Sequence, residues 1–269
     1  MANKYLARDD AMFGENVWKM LDSVTINTAK TQLTGRKLLD IEGPYGLNLK
    51  SVPLHDKVIS DGDVTVMASS SLPLALLEID FSLMARDLAT FEETGFAPDV
   101  ETVVNAAKAI SAAEDSLIFQ GNKKLGIEGL FTASGTNSLS LSDWKKGVGV
   151  AADDIIKAVT VLDNAGFNGP YMLALAPSVY NLLYRRYEQG NQTEIEHIST
   201  IIGTKPIKAG GLDNGGVLIA SGSQFASLVI GQDMTCGFIG PSGPNIEMKI
   251  TESIVPRIKV PSAVCILKA

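Results

Sequence analysis

The side chains that most often carry out catalysis or hold metals are few and scattered in this sequence. The chain contains two histidines and two cysteines, His55, His197, Cys236 and Cys265. His197 follows Glu194 and Glu196, but this is not the H-E-x-x-H spacing that puts two imidazoles and a carboxylate on one face of a zinc-binding helix. The pattern therefore favours a solvated helix face for residues 194–197 over a metal site.

Motifs for nucleophilic or phosphate chemistry are also missing from the sequence. It has no G-x-S-x-G elbow, no P-loop and no G-x-G-x-x-G after a predicted strand. The glycine-rich stretch 210–216 separates two predicted strands, which favours a turn over a phosphate cradle. The two cysteines lie in apolar surroundings, which indicates packing. The sequence is compatible with an enzyme but does not require one, and we predict no catalytic residue, metal or cofactor.

Composition narrows the choice of partners and compartment. The 269 residues carry a net charge of −7 with a pI near 4.9, which argues against nucleic acid because phosphate binding needs a basic surface. No apolar run approaches the roughly 20 residues of a membrane-spanning helix, so no membrane partner is expected. The start of the chain lacks the apolar core of a signal peptide. With only two cysteines, the sequence fits a reduced cytoplasmic setting.

The most informative stretch is residues 31–46, TQLTGRKLLDIEGPYG. It begins as the end of an amphipathic helix predicted over residues 14–34, and Gly35 is a plausible residue to end that helix. Leu39 and Ile41 then alternate with Asp40 and Glu42, as in a half-buried strand. The residues that follow, Gly-Pro-Tyr-Gly, predict a turn.

This stretch resembles the hallmark of the encapsulin shell proteins, also called linocin or bacteriocin-type proteins, in which Gly-Arg-Lys leads to Asp and then to Glu-Gly-Pro-Tyr-Gly. Further stretches match the family in the same order, namely residues 72–74, 113–121, 126–130, 169–171, 231–233 and 251–253. The resemblance covers the chain from about Ala29 onward, and the first fifteen residues match less well. Encapsulins resemble the major capsid proteins of tailed bacteriophages and form closed icosahedral compartments around cargo enzymes.

Periodicity and turn signals predict the remaining elements independently of this resemblance. Helices are predicted over residues 99–120, 153–164, 177–186 and 194–202. Strands are predicted over residues 77–83, 129–131, 171–176, 217–220, 226–230, 246–250 and 254–267. Residues 47–68 predict a thin, weakly apolar ribbon that folds back at Asp61-Gly62, a strong hairpin signal.

The resemblance implies an α+β fold like that of tailed-phage major capsid proteins, with an N-terminal helix, an extended loop, a peripheral domain with a spine helix, and an inserted α/β axial domain. The implied divisions are residues 1–46 (N-terminal helix and start of the peripheral domain), 47–70 (extended loop), 71–131 (peripheral domain with spine helix), 132–212 (axial domain) and 213–269 (terminal strands of the peripheral domain). Neighbouring copies would cover the ribbon and the edge strands in an icosahedral homo-oligomer.

The resemblance also implies a docking site for a short C-terminal targeting peptide carried by the cargo enzyme. By motif, Arg36 and Asp40 match positions that contact this peptide, Asp233 lies in the neighbouring wall, and Leu33 and Leu39 flank the charged pair. An ordinary salt bridge within the subunit is the alternative for Arg36 and Asp40. Some relatives bind a flavin through a tryptophan after the alternating strand; Arg86 stands at that position here, so no flavin is predicted.

The resemblance also implies that the tip of the inserted domain lines the pore at the five-fold axis. The loop concerned consists of Tyr187, Glu188, Gln189, Gly190, Asn191, Gln192 and Thr193. Glu188, repeated around the axis, would form an acidic ring that favours cations such as ferrous iron. The alternative is a plain solvated connection between two helices.

Taken together, the sequence predicts a structural shell protein, not an enzyme, that encloses cargo enzymes for iron storage or oxidative-stress defence. The family's cargo options are ferritin-like iron oxidases, dye-decolourising peroxidases and hemerythrin-like proteins. A phage-type major capsid protein is the second hypothesis, opposed by the acidic charge and by the docking motif. A protease or bacteriocin-like enzyme is the third.

Overall fold

A computed structural model describes residues 4–61 and 64–269 of the chain. The chain divides into two compact units. The first comprises the chain up to Leu33, Gly43–Glu114 and Ile230–Ile254, and the second comprises Thr34–Glu42, Asp115–Val229 and Val255–Ala269. Each unit is thus assembled from stretches that are far apart in the sequence.

Helices and strands both contribute to the described part of the chain. The helices are α1 (Glu15–Gln32), α2 (Ala85–Thr94), α3 (Glu101–Gln120), α4 (Val150–Asn164), α5 (Pro177–Tyr180) and α6 (Glu194–Ile202). The strands are β1 (Asp40–Glu42), β2 (Ser51–Pro53), β3 (Lys57–Asp61), β4 (Val64–Ala68), β5 (Ser71–Pro73), β6 (Ala75–Met84), β7 (Gly121–Asn122), β8 (Ile127–Glu128), β9 (Asn137–Ser140), β10 (Tyr171–Leu175), β11 (Ile207–Lys208), β12 (Gly216–Ala220), β13 (Ala226–Ile230), β14 (Thr235–Ser242), β15 (Asn245–Ile258) and β16 (Val264–Lys268).

The first unit is organised around antiparallel strands in the order β6-β15-β14. Along β6, Phe81 and Leu83 are buried whereas Glu78 and Asp80 are exposed, which confirms the predicted alternating strand. Its inner face packs against helices in one apolar cluster, formed by Phe13, Val17, Trp18, Leu21, Phe81, Leu83, Leu88, Val103, Ala106, Ala107, Ile110, Cys236, Phe238, Ile246, Met248 and Ile250. Burial of these side chains supplies the main driving force for folding this unit.

The predicted first helix is present as α1, but it ends differently from the expectation. The last helical residue is Gln32, and Leu33 follows in an extended conformation. Gly35 does not adopt the left-handed conformation of a helix-ending glycine; it begins a 3-10 turn, Gly35–Lys37. The predicted role of Gly35 is therefore wrong, and its absent side chain serves a packing purpose described below.

The predicted ribbon is confirmed as an arm of paired strands. β3 pairs antiparallel with β4, and β2 pairs antiparallel with β5. Of the predicted turn, Asp61 ends β3, while Gly62 lies outside the described residues. Large apolar side chains are exposed along the arm, namely Val58, Val64, Val66 and Met67. In a single chain nothing buries them, as is expected of an arm that lies against another molecule.

The second unit contains a five-stranded sheet in the order β11-β10-β12-β16-β9. β10 and β16 pair antiparallel with β12, whereas the outer strands β11 and β9 run parallel to their neighbours. The expected axial domain ended at residue 212, yet β12 and β16 belong to the same sheet as β10. Local patterns locate a buried strand but do not identify its partners, and this is the reason for the difference. The helices pack on the sheet through a second cluster, which includes Trp144, Ile155, Leu162, Leu173, Leu183, Ile198, Leu218 and Cys265.

Several element predictions are corrected by the structure. The predicted strand 129–131 is a turn that follows the short strand β8. The predicted strand 254–267 is two strands, because a 3-10 turn at Pro261–Ala263 separates the end of β15 from β16. Helix α2 has no counterpart in the sequence predictions. The long helix predicted to Gln120 is confirmed as α3, and Gly121 follows it with a φ of +70°.

Candidate functional site

The segment after α1 is held in place by a buried carboxylate. Asp115 is 2% exposed and accepts hydrogen bonds from the backbone N–H of Thr34, at 3.1 Å to each oxygen, and from the N–H of Gly35 at 2.8 Å. The hydroxyl of Thr34 also donates to Asp115. Because hydrogen bonds to a charged acceptor are stronger than neutral ones, this carboxylate fixes the path of the chain just before Arg36.

Gly35 is required by close packing at the same point. A Cβ atom at this position would lie 2.4 Å from Cδ1 of Ile118, a fully buried side chain. The absence of a side chain lets the turn Gly35–Lys37 lie directly against α3. Leu38 and Leu39 then close the turn by donating from their N–H groups to the carbonyl of Gly35, at 3.0 and 3.1 Å. The motif glycine is thus explained by proximity to Ile118.

The predicted docking residues differ in their accessibility. Leu33 and Leu39 are each only 6% exposed, so they form part of the interior. Arg36 is half-buried and Asp40 is exposed. Asp233 is exposed in the first unit, where its Oδ1 accepts the N–H of Met234 at 2.9 Å. Leu33 also belongs to the first unit, whereas Arg36, Leu39 and Asp40 belong to the second.

Three of the predicted residues, Arg36, Leu39 and Asp40, line one cavity of about 160 Å³. The other lining residues are Lys37, Leu38, Met172, Ile219, Ala220, Ser221, Gly222 and Ala226. Pockets for small-molecule ligands are typically about 300–1,000 Å³, so this cavity is of a size for a side chain of a partner. The sequence analysis did not include Lys37 in this site. It also missed the contribution of β12, because that strand is distant in sequence from the motif.

Strand β1 follows this segment directly and pairs in parallel with β13. Glu42, at its end, accepts a hydrogen bond from Lys259 at 2.6 Å, and Arg257 lies 4.0 Å away. Burial raises the pKa of Glu42, but the Lys259 hydrogen bond and the positive charges outweigh it and leave the pKa below the ordinary value of 4.5. Ile41 is 49% exposed, and it is an apolar side chain that the sequence prediction did not include in the site.

The predicted pore loop is a narrow hairpin with a well-defined stem. Arg186 and Thr193 form an isolated β-bridge, and the N–H of Tyr187 donates to the carbonyl of Gln192 at 3.2 Å. Thr193 caps α6, with Glu196 completing a capping box. The residues at the tip, Glu188, Gln189, Gly190, Asn191 and Gln192, are exposed.

The base of this loop rests on a buried ion pair. Glu194 is fully buried and its Oε2 lies 3.3 Å from Nη2 of Arg185. Its Oε1 accepts the N–H groups of Gly149, Ala151 and Ala152 at 2.8, 3.1 and 3.3 Å, and thereby caps the start of α4. The prediction of a solvated helix face is therefore wrong for Glu194. Glu194 and Gly149, at the start of α4, are 45 positions apart in the sequence. No local sequence pattern therefore indicates that they are in contact.

The remaining candidates for chemistry have structural roles among residues 4–61 and 64–269. No cluster of three or more metal-ligating side chains occurs there. Both cysteines are free and buried, and burial raises the pKa of each thiol to about 11. Arg86 lies exposed in the first turn of α2. None of the helices in this part of the chain is both long and apolar enough to span a membrane.

Solved structures with the same arrangement define the class of fold. The virus-like particle protein of Pyrococcus furiosus superposes with a TM-score of 0.75 at 23% identity, over 94% of this chain and 99% of its own. The capsid protein of the myovirus phage XM1 gives a TM-score of 0.60 at 14% identity, over 85% and 88% of the two chains. The predicted α+β, tailed-phage capsid-like fold is confirmed.

Sequence relatives then identify the family. A family model described as the encapsulating protein for peroxidase matches residues 3–255. A type 1 encapsulin shell protein of Myxococcus xanthus is 31% identical over 278 residues, covering 98% of this chain and 96% of the relative. A diheme-cytochrome-encapsulin shell fusion protein of Kuenenia stuttgartiensis is 32% identical over 274 residues, covering 93% and 72%. The chain belongs to the encapsulin family of shell proteins, which confirms the resemblance and the prediction that it is not an enzyme.

Proposed function

We propose that this chain is the subunit of a closed icosahedral shell in the cytoplasm that retains cargo enzymes by a C-terminal targeting peptide. The observation that carries the proposal is the family match over residues 3–255 together with the capsid-like fold. The exposed apolar side chains of the β3–β4 arm support self-assembly, since a neighbouring copy would bury them. The shell, on this view, needs no partner to close.

Assembly is tested directly on the purified chain. Light scattering and electron microscopy should show hollow particles of uniform size at ordinary pH and salt. The matched variant replaces two exposed residues of the arm, Val66→Asp and Met67→Asp, and should shift the protein toward small oligomers. A wild-type chain that stays monomeric or dimeric under all these conditions would contradict the proposal.

Docking of the targeting peptide is assigned to the cavity beside β1. Arg36 and Asp40 supply opposite charges at its lining, and a guanidinium paired with a carboxylate can hold a mixed-charge peptide through charge-assisted hydrogen bonds. Leu39, being buried, would support this segment from the interior. Leu33 and Asp233 belong to the first unit, and their part in docking stays a prediction made from the family motif. Exposed Ile41 adds apolar surface for the peptide.

The test is the double substitution Arg36→Glu with Asp40→Arg, which reverses both charges without emptying a core. Each lost charge-assisted hydrogen bond costs about 1.5–3 kcal/mol, enough to weaken a peptide interaction tenfold or more. The control, Arg36→Lys with Asp40→Glu, keeps both charges and should retain more cargo. Unchanged co-purification of cargo with the charge-reversed shell would refute the assignment.

Passage of small solutes is assigned to the loop Tyr187–Thr193, with Glu188 at its exposed tip. An acidic ring of Glu188 side chains would concentrate cations at the pore. In shells loaded with an iron-oxidising cargo, Glu188→Lys should slow initial iron uptake at low salt, and high salt should restore part of the rate by screening. Glu188→Gln should fall between the two. An uptake rate that changes with neither the substitution nor the salt concentration would show that ions do not pass at this loop.

The cargo is proposed to be an oxidative enzyme, in keeping with iron storage or defence against oxidative stress. The family description names a peroxidase, and one relative is fused to a diheme cytochrome. Ferritin-like and hemerythrin-like cargo would serve the same purpose. Mass spectrometry of shells purified from the native cell, before any overexpression, identifies the cargo by its C-terminal peptide.

A phage-type major capsid protein is the second candidate, favoured by the likeness to phage capsids. It differs in what the particle contains. Particles purified from the native cell with a nuclease-resistant genome-length nucleic acid would favour the capsid, whereas particles holding only protein favour the cargo-bearing shell. The net charge of −7 supports the shell, because packaged nucleic acid requires a basic inner surface or counterions.

A further inference from the structure

The glycine-rich stretch before β12 contains an asparagine whose side chain contacts the next peptide group. The N–H of Gly215 donates to Oδ1 of Asn214 at 2.9 Å, and Asn214 is exposed. We propose that Asn214 is a modification site, at which the folded chain deamidates spontaneously in water. The inference goes beyond the proposed function and does not depend on it, because the reaction involves two neighbouring residues of one subunit.

The reaction is an intramolecular displacement followed by hydrolysis. The backbone nitrogen of Gly215 loses its proton to hydroxide and forms a bond to Cγ of Asn214. The bond from Cγ to the side-chain nitrogen breaks, and this nitrogen takes a proton from water and leaves as ammonia. The product is a five-membered succinimide ring. Water then adds to one of the two ring carbonyl carbons and opens the ring, which gives either aspartate or isoaspartate, and no oxidant or reductant is needed.

The local geometry favours the first step of this reaction. Oδ1 belongs to the carbonyl group that the nitrogen attacks, so the 2.9 Å between the Gly215 nitrogen and Oδ1 holds the two reacting groups together. Near-attack arrangements have reacting atoms about 3–3.5 Å apart. Glycine has no side chain to hinder the approach to Cγ. Because Asn214 is exposed, water can reach the carbonyl that is attacked.

Packing requires glycine at position 215 for a separate reason. Gly215 has a φ of +66°, and a Cβ atom there would lie 2.2 Å from the carbonyl oxygen of Leu267. Its own carbonyl accepts the N–H of Ala176 at 2.9 Å. Asn-Gly pairs are also common in turns, so the alternative is that this pair serves the turn alone. In that case the contact at Asn214 would have no chemical effect.

The chain contains a second Asn-Gly pair, Asn168-Gly169, which provides an internal comparison. Both of its residues are exposed. A Cβ atom on Gly169 would lie 3.1 Å from Cε2 of Tyr171, so the tyrosine ring packs against this glycine. Burial and Asp163 raise the pKa of Tyr171 to about 12, and the N–H of Gly169 opposes this rise because it faces the hydroxyl oxygen. The nitrogen of Gly169 is thus directed at Tyr171, whereas that of Gly215 is directed at its own asparagine.

Deamidation would change the charge of two cavities in the second unit, because Asn214 lines both. One cavity, of about 540 Å³, is also lined by Asp143, Lys145 and Asp213. The other, of about 500 Å³, is also lined by Lys268. Either product adds one negative charge to the wall that the cavities share, next to Asp213. Each cavity also has a lysine in its lining, which would offset part of the repulsion between the two carboxylates.

Incubation of the purified folded protein at pH 8 tests the proposal. Peptide mass spectrometry measures deamidation at Asn214 and at Asn168, and an isoaspartate-specific methyltransferase with a labelled methyl donor detects isoaspartate. The same incubation in concentrated urea gives the rate of each site in the unfolded chain, which accounts for the different flanking residues. The ratio of folded to unfolded rate should be about tenfold higher for Asn214 than for Asn168.

Asn214→Gln is the matched variant, because it keeps an amide but would have to form a six-membered ring. Aged wild-type protein should give a more acidic species on anion exchange, at the position of the Asn214→Asp variant. Asn214→Gln should lose most of this species, whereas Asn168→Gln should keep it. A ratio of folded to unfolded rate for Asn214 that is no higher than that for Asn168 would overturn the proposal. An acidic species that persists unchanged in Asn214→Gln would do the same.

Discussion

Two buried carboxylates, Asp115 and Glu194, each fix the backbone of a neighbouring segment, and they do so through different sets of donors. Asp115 binds neutral donors, two backbone amides and a hydroxyl, in an irregular segment. Glu194 binds the amino end of a 15-residue helix and an arginine as well. The segment that begins at Thr34 therefore depends on Asp115 for its local path, whereas α4 and the stem of the loop both depend on Glu194. Removing Asp115 should act locally, and removing Glu194 should act on the whole unit.

The largest effect is expected for Glu194→Ala. Loss of a buried carboxylate leaves Arg185 uncompensated and the start of α4 uncapped, so the free energy of unfolding should fall by about 3–5 kcal/mol. Urea unfolding of shells at fixed protein concentration measures this change. Glu196→Ala, an exposed neighbour on the same helix that completes its capping box, is the control and should cost much less. Equal losses for the two variants would contradict the central role of Glu194.

Asp115→Asn should have a smaller effect on stability and a sharper local one. The amide replaces a charged acceptor, so unfolding should become easier by about 1.5–3 kcal/mol. The adjacent peptide bonds after Arg36 and Lys37 should become better substrates for trypsin, since the path of the chain before them is no longer fixed. Mass spectrometry locates the cleavage. Asp99→Asn, which alters a cap at the start of α3, should leave cleavage at these sites unchanged, and equal cleavage in both variants would contradict the proposed local effect.

Gly35→Ala tests the close packing next to Asp115. A Cβ 2.4 Å from Cδ1 of Ile118 forces a shift, with an expected cost of about 1–2 kcal/mol. Ile118→Val deletes that methyl group, so the double variant should recover part of the loss made by Gly35→Ala. A double-mutant cycle on unfolding free energies measures the coupling. Strictly additive losses would show that the two positions do not compete for space.

The smallest effect is expected at Glu42, a half-buried ion pair with Lys259. The pKa of Glu42 in the folded chain is lowered from 4.5, so its contribution to stability is present above about pH 4.5 and is lost as the pH falls through the folded value. Glu42→Gln should remove this part of the acid dependence, by about 1 kcal/mol or less. Unfolding curves between pH 3 and 7 give the comparison. Identical pH profiles for the two proteins would show that Glu42 does not contribute to the pH dependence of stability.

The sequence was most informative where the signal is local. Alternation along β6, the helix start at Glu194 and the stop after Gln120 all depend on neighbouring residues, and the structure confirms each. The long-range roles were not predictable in this way: Asp115 acts on Thr34, 81 positions away, and Glu194 acts on Gly149. The motif stretch pointed to the family correctly, but it did not reveal that Leu33 and Leu39 are interior residues. The sequence alone does not distinguish a leucine that lines a surface groove from one that is buried in the core, when both lie beside a charged residue.

Helix α2 shows a second limit. It follows β6 directly, with Met84 as the residue before its first turn, and neither a proline nor a strong capping residue marks its start. Only one of its residues, Leu88, is fully buried. Its apolar residues recur with helical spacing, but ten residues are fewer than the stretch over which periodicity separates a helix from other patterns. Its existence depends on packing against α1 and β6 in the first unit, which no local pattern encodes.

The two protonated thiols have a practical consequence. With pKa values of about 11, only roughly one molecule in ten thousand of each carries a thiolate at pH 7. The thiolate is the form of cysteine that reacts with peroxides and alkylating reagents, so both cysteines of a folded subunit should react slowly. Slow alkylation by iodoacetamide would then record the opening of each unit separately, Cys236 for the first and Cys265 for the second. The rates of alkylation at the two cysteines would thus report how often each unit opens as the protein is damaged or ages.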